Sequence, residues 1–290
     1  MSLLNKYCPQ PQLNVSTLSK VNALFQEQKW MLDKENISGL YNRFCLRLSQ
    51  LTPDEQELII ELTKRFLVIP QQEYLKYFLD IIHNPALFQN SIITGCTNLY
   101  ILPLISKEDI GKIKSSSFLW YALKSTAVKY DPFFAQKNLT FCEKPNNLAT
   151  KINNDAQACL ILVDDYIGSG KTAESAVSYC ASFGIAPQKI AIVAIAAQQV
   201  GIDFLQVANI PVYTNTILNR GISDWYANGD LTNAIRIMKK IEKKLQVTPK
   251  FKFGYDRSEA LISLSRTPNN TFPVFWWEND MYNVSPFPRY

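Results

Sequence analysis

The sequence holds a single histidine, His83, among 290 residues. That scarcity excludes multi-histidine metal sites and leaves little room for a Ser-His-Asp relay. His83 stands just before Asn84 and Pro85, where a helix is expected to end, so its expected place is that helix end. The six cysteines, Cys8, Cys45, Cys96, Cys142, Cys159 and Cys180, form no Cys-x-x-Cys pair. They suggest neither a zinc site nor a disulfide framework, and free thiols in a cytoplasmic protein are expected. No metal site built from protein ligands alone is expected. No apolar run approaches membrane-spanning length, and Pro9 and Pro11 interrupt any leader-like apolar core, so no membrane role is expected. The formal charge of +5 permits nucleic acid or phosphorylated ligands as partners and argues for neither.

Glycine is also sparse, with ten in the chain, yet two of them fall in one turn, Gly168 and Gly170. They belong to Leu160-Ile-Leu-Val-Asp-Asp-Tyr-Ile-Gly-Ser-Gly-Lys-Thr172. Residues 159–163 read as a strand buried on both faces of a parallel sheet. Asp164 and Asp165 then fall at its carboxyl end, where open α/β sheets bind ligands. Gly168 and Gly170 free the backbone to approach an anion closely, and the helix that follows adds its own unpaired N–H groups. Phosphate is the natural guest.

Two phosphate-binding readings compete. In the first, Gly170-Lys171-Thr172 ends a P-loop, but Asp165 occupies the first glycine position and would aim negative charge at the phosphates. In the second, the adjacent acids hold sugar hydroxyls while the Gly-Ser-Gly turn holds a 5′-phosphate. The second uses every residue and is preferred; an ordinary strand-turn-helix with solvated acids is the plain alternative.

This order of apolar strand, Asp-Asp, glycine turn and threonine resembles the phosphoribosyl diphosphate signature of type I phosphoribosyltransferases. The resemblance implies that Asp164 and Asp165 hold the ribose hydroxyls as the catalytic acids. It also implies that Gly168, Ser169, Gly170, Lys171 and Thr172 hold the 5′-phosphate, and that Mg2+ accompanies a diphosphate ligand. The chain departs from the family at Lys171, where a glycine is usual.

The first ninety residues read as helices. One starts at Ser16 and Thr17. A capping box runs from Thr52 to Glu55 with proline at the first helical position, and a third stripe carries Tyr74, Phe78 and Ile82. Residues 98–104 read as a strand. Lys112, Lys114, Ser115 and Ser116 in the following loop offer cations and hydroxyls at a helix entrance, and the resemblance makes this the diphosphate loop; a solvated linker is the alternative. A helix is expected over 118–128, and 131–157 reads as a flap over a site or as a plain connector. After the central motif come a helix stopped by Gly184, a buried strand over 189–197, a helix over 200–207 and a strand over 210–214. Arg220 is a further candidate contact for a phosphate or carboxylate, with a structural ion pair as the alternative. Residues 231–245 form an amphipathic helix with Asp230 as its expected cap. Its lysines, Lys239, Lys240, Lys243 and Lys244, read as a solvated face, with nucleic-acid contact as the weaker alternative.

The final forty residues are rich in rings, including Phe272, Phe275, Trp276, Trp277, Tyr282, Phe287 and Tyr290, for which packing is the default. With Thr267-Pro-Asn-Asn-Thr-Phe-Pro-Val-Phe-Trp276, the Asp-Asp motif resembles the phosphoribosyltransferase-like branch of bacterial conflict systems, some encoded beside reverse transcriptases in retrons. This resemblance implies an effector or toxin of anti-phage defence, restrained by a partner such as a reverse transcriptase or another defence component. The expected fold is α/β, a parallel sheet flanked by helices of the type I phosphoribosyltransferase kind. A helical extension is expected over 1–90 and the α/β domain over 91–290. A non-catalytic nucleotide-sensing or assembly module with the same fold remains open.

Overall fold

Apolar spacing in the first part of the chain produces three helices before any strand: α1 (Val15–Glu27), α2 (Leu40–Ser49) and α3 (Pro53–Thr63). The cap of α1 is Asn14, whose side chain accepts from the Thr17 N–H at 2.7 Å, so the helix begins slightly before the expected start. α3 starts as its capping box requires, with Pro53 at the first position and the Thr52 N–H donating to Glu55 Oε2 at 2.8 Å. The chain continues through β1 (Leu67–Val68), α4 (Tyr74–Ile82), α5 (Pro85–Phe88), α6 (Ile92–Gly95), β2 (Asn98–Pro103), α7 (Ser115–Ala122) and α8 (Thr126–Lys129). Then come β3 (Asn138–Phe141), α9 (Ala149–Asn153), β4 (Ala158–Ile167), α10 (Lys171–Ser182), β5 (Ile190–Gln198) and α11 (Gln199–Val207). β6 (Val212–Tyr213), β7 (Ile217–Leu218), α12 (Asn228–Lys244) and β8 (Ile262–Ser263) complete it. This structure is a computed structural model and describes residues 13–89, 91–112, 114–280 and 284–289. Cys8, Pro9, Pro11, Tyr282, Tyr290 and Ile113 of the lysine loop lie outside the described residues.

Two compact units are present, one of Met1–Val68 with Asn219–Tyr290, the other of Ile69–Leu218. This division differs from the boundary expected at residue 90. Helix α4 lies within the α/β unit, where it packs against β5 and α7. Residues 219–290 belong with the N-terminal helices because α12 packs its apolar stripe on α3.

The α/β unit is built on an all-parallel sheet of order β3-β2-β4-β5-β6, with β7 also paired to β5. Every residue of β5 is buried, as is every residue of β4 up to Val163, which explains their unbroken apolar sequence. One face of the sheet, with Leu102, Leu160, Leu162, Ile192 and Ala194, packs on α9, α10 and α11 through Ile152, Val177, Cys180 and Leu205. α4 and α7 also pack on the sheet, against β5, β4 and β2. Residues 131–157, expected as a flap or connector, instead supply the edge strand β3, whose exposure alternates along Asn138, Leu139, Thr140 and Phe141. The helix expected over 118–128 is broken between Ala122 and Thr126 into α7 and α8. His83 stands at the C-cap of α4 as expected, but its ring bonds to Asp131 Oδ2 at 2.7 Å. Among the described residues no helix is long and apolar enough to cross a membrane.

The other unit has a ring-rich core. Phe66 stacks on Phe287 with centroids 4.6 Å apart, and Trp30, Phe275 and Phe44 extend the cluster. The Thr267-to-Trp276 motif is spent on local bonds here. Thr267 Oγ donates to the Phe287 carbonyl at 3.0 Å, Thr271 Oγ to that of Ile262 at 2.7 Å, and Trp276 Nε1 to that of Thr271 at 2.7 Å. Phe253, Gly254, Asp256, Arg257 and Glu259 all have positive φ. Gly254 is required there, since a Cβ would come within 1.9 Å of the Asn270 carbonyl oxygen. α12 begins at Asn228, two residues before its expected cap, leaving Asp230 in the first turn. Of its lysines, Lys244 pairs with Glu55 at 2.6 Å, while Lys239, Lys240 and Lys243 are exposed.

Glu242 on α12 is fully buried; its Oε1 accepts from the Phe253 N–H at 2.6 Å, and its Oε2 has no hydrogen-bond partner among the described residues. Burial raises its pKa to about 7, with Glu259 adding to the rise and Lys252 and Arg257 opposing it. Because the folded state binds this proton more tightly, the associated stability is present below the ordinary carboxyl pKa and is lost as pH rises through about 7. Glu242→Gln keeps the acceptor and removes the charge. It should raise the melting temperature at pH 8.5 and change little at pH 5, a difference on the order of 3 kcal/mol at most. Equal shifts at both pH values would show that the carboxyl does not titrate in the fold.

Candidate functional site

The strand order places β2 and β4 side by side while the chain leaves them in opposite directions, β2 toward β3 and β4 toward β5. That is a topological switch point, where the loops after the two strands diverge and leave a crevice at their carboxyl ends. β2 stops at Pro103, paired with Val163, whereas β4 continues to Ile167 along β5. The strand is therefore longer than expected from 159–163, and Asp164 and Asp165 lie within it, where it has lost one neighbour.

The start of α7 and the start of α4 meet this unpaired margin. Asp165 is buried and accepts from Tyr74 Oη at 3.0 Å through Oδ2 and from Ser115 Oγ at 2.7 Å through Oδ1. Its backbone N–H donates to Asp164 Oδ1 at 2.9 Å. Asp164 stays partly exposed, but withdrawal of its carboxyl from water raises its pKa well above the usual range, and the adjacent Asp165 charge adds to this. Lys114 is near enough to oppose the rise. The two acids thus differ: Asp165 ties α4 and α7 to the central strand, whereas Asp164 accepts the neighbouring backbone N–H at the partly exposed end of that strand. Tyr166 has a buried hydroxyl with no hydrogen-bond partner among the described residues.

The lysine loop is folded around Asp109, which accepts from Ser106 Oγ at 3.0 Å and pairs with Lys114 at 2.9 Å and Lys112 at 3.3 Å. Burial pushes the Asp109 carboxyl up, but these donors outweigh it and hold the pKa below the ordinary value. Ser116 is buried and its hydroxyl donates to the Leu104 carbonyl at 3.1 Å, so it closes the loop at its base. The turn at Lys107–Asp109 packs against α10. The start of the lysine loop is thereby anchored to the helix that the glycine turn opens.

Gly168 and Ser169 form the turn, and Gly170, at φ +82°, is the N-cap of α10, with Lys171 and Thr172 exposed in its first turn. A side chain at Gly170 would be strained by that φ and would meet the Gly201 carbonyl oxygen and the Phe204 ring at 2.9 Å. A Cβ on Gly201 would lie 2.1 Å from the Gly168 carbonyl oxygen. α11 therefore holds the turn from behind by close backbone contact. Arg220 belongs to the other compact unit, where its N–H donates to Asp224 Oδ2 at 2.8 Å. Among the described residues no three His, Cys, Asp or Glu side chains converge as a metal site.

Tyr74, Asp109 and Gly201 were not among the residues expected at the site. Tyr74 is indistinguishable in sequence from the apolar stripe of its helix, but a glycine inside the helical pattern of 200–207 was a usable signal. Tyr74→Phe should cost about 1–3 kcal/mol in chemical denaturation, because it leaves a buried carboxylate short of a donor; no loss would show that the bond to Asp165 is dispensable. Gly201→Ala should speed amide hydrogen exchange at 168–170 while β4 stays protected. Unchanged exchange there would mean that α11 yields instead of the turn.

A protein-family model described as PRTase-CE matches residues 47–288, most of the chain. No curated protein matches it. With the glycine turn, the acid pair and the parallel sheet in place, the chain belongs to the PRTase-CE family, a phosphoribosyltransferase-type family.

Proposed function

We propose that the α/β unit binds a ligand containing ribose 5-phosphate, either phosphoribosyl diphosphate or a nucleotide, at the crevice between β2 and β4. The observation that carries this reading is the convergence of three parts at one switch point: the partly exposed Asp164, the glycine turn and the lysine loop. The turn and the first N–H groups of α10 suit a 5′-phosphate, and Lys171 adds a cation at the same helix end. Asp164 suits a ribose hydroxyl. Lys112 and Lys114, held only by Asp109 among the described carboxylates, suit the diphosphate arm.

Magnesium fits this donor set only in part. Asp165 already accepts two hydrogen bonds, so an ion here would take most of its oxygens from the diphosphate, the ribose and water, with Asp164 as the available carboxylate. When bound, the ion would neutralise diphosphate charge. The residues' own contribution to transfer at the anomeric carbon is position: the 5′-phosphate is fixed at one end, the ribose ring at its hydroxyls, and the leaving diphosphate beside two ammonium groups. Such chemistry needs no histidine.

A P-loop reading is disfavoured by a specific observation. Residues 165–167 continue β4, so only the short turn at 168–170 remains to wrap a phosphate chain. The wider role proposed with the binding reading is that of an effector in an anti-phage system, restrained by a partner such as a reverse transcriptase. Its support is the resemblance of the terminal motif to conflict-system proteins.

Calorimetric titration with phosphoribosyl diphosphate, ribose 5-phosphate, ATP and NAD, each with magnesium, tests the site. Asp164→Asn should weaken ribose-phosphate ligands at least about tenfold. Lys114→Ala should weaken phosphoribosyl diphosphate by a similar factor and leave ribose 5-phosphate nearly unchanged. ATP bound in preference to the ribose phosphates, or equal losses for both ligands in Lys114→Ala, would contradict the assignment. Binding without turnover would favour the non-catalytic sensing module.

A further inference from the structure

A second cavity of about 530 Å3 opens in the α/β unit beside the edge strand β3 and the break between α7 and α8. It lies apart from the crevice. Its highest strand residue, Phe141, is level with Ile101 and hence with Ile161, three residues before Asp164. The separation is about 10 Å along the strands and about 10 Å across them.

Its chemistry is one-sided. Lys124, Lys129 and Lys137 line it, and no lining residue is acidic. Lys137 is committed to the fold, donating to the carbonyls of Cys96 at 2.5 Å and Thr94 at 3.2 Å. Among the described residues Lys124 and Lys129 have only rings as partners: Lys124 Nζ stands 3.7 Å from the Trp120 ring centroid and Lys129 Nζ 5.6 Å from that of Tyr130. Between them in sequence, Ser125 contributes a buried hydroxyl with no hydrogen-bond partner among the described residues. Two ammonium groups and an unsatisfied hydroxyl make a donor set for a tetrahedral anion. The remaining wall is apolar and aromatic, with Phe134, Leu139 and Phe141, and the Tyr130 ring is 72% exposed and open to stacking. The volume suits a ligand of nucleotide size.

We propose that this cavity binds a nucleoside phosphate. Lys124, Lys129 and the Ser125 hydroxyl hold the phosphate, and the base lies against Tyr130 and the apolar wall. The same chemistry is offered by a free nucleotide or by the 5′-phosphorylated end of a single strand. The site is independent of the ribose-phosphate crevice and stands whether or not that crevice is occupied.

Titration of the full chain with AMP, adenosine, inorganic phosphate and a 5′-phosphorylated five-nucleotide DNA strand tests it. The variants are Lys124→Gln with Lys129→Gln, Ser125→Ala, and Asp164→Asn. The lysines are exposed, so the double variant should fold, which circular dichroism checks. AMP should bind a site that Asp164→Asn retains and that the double lysine variant weakens at least about tenfold; Ser125→Ala should weaken it by a smaller factor. Adenosine and phosphate alone should each bind at least about tenfold more weakly than AMP, since each keeps one half of the contacts. A strand that outcompetes AMP would support the site and identify its source as nucleic acid. An AMP isotherm unchanged in the folded lysine variant would overturn the proposal, as would the absence of AMP binding to the Asp164→Asn protein.

Discussion

Two adjacent carboxyls at the end of a central strand cannot both be buried, charged and unpartnered, and the organisation of the α/β unit follows from how this conflict is met. Asp165 takes the solution of burial with donors: Tyr74 from α4 and Ser115 from α7 supply them. Asp164 is left with a partly exposed surface and a carboxyl whose pKa is driven up by lost hydration and by its neighbour. Lost hydration and the neighbouring carboxylate both favour the neutral form of Asp164.

The same strand end shows why backbone topology matters as much as side-chain chemistry. β4 outruns β2 at Val163, and the helix entrances that cover the exposed margin bring the lysine loop with them. On the other side β4 keeps its pairing with β5 through Ile167, which fixes where the glycine turn begins. α11 then follows β5 directly and presses Gly201 against the turn. Turn and loop are thus each held by an element outside the motif. A short motif supplies the chemistry, and its neighbours supply the position.

Much of this was legible in the residues. Continuous apolar runs announced β4 and β5, because strands buried on two faces leave no polar alternation to obscure them. The capping box announced α3, and the order acid pair, glycine turn, helix announced the crevice. What stayed hidden depended on contacts between distant parts of the chain. β3 is a four-residue edge strand with polar residues on alternate positions, too short for periodicity to separate it from a loop. Tyr74 looked like one more stripe residue until its hydroxyl met a carboxylate ninety-one positions away. The division into units was equally invisible, since nothing local in 219–290 says that α12 will pack on α3.

The terminal aromatic segment shows the limit of reading function from a distinctive string. Its Thr-Pro-Asn-Asn-Thr motif is what narrowed the resemblance to conflict-system proteins, yet its hydroxyls and its indole are spent on backbone carbonyls inside their own unit. Phe275 and Phe287 pack on Phe66, and Arg289 donates to the Thr267 carbonyl at 2.8 Å. These residue types are demanded by a turn-rich segment that must satisfy buried carbonyls without a sheet ladder to do it. The segment's polar groups are consumed in folding, as is the buried Asp165 of the α/β unit, whereas Asp164 at the same strand end stays partly exposed.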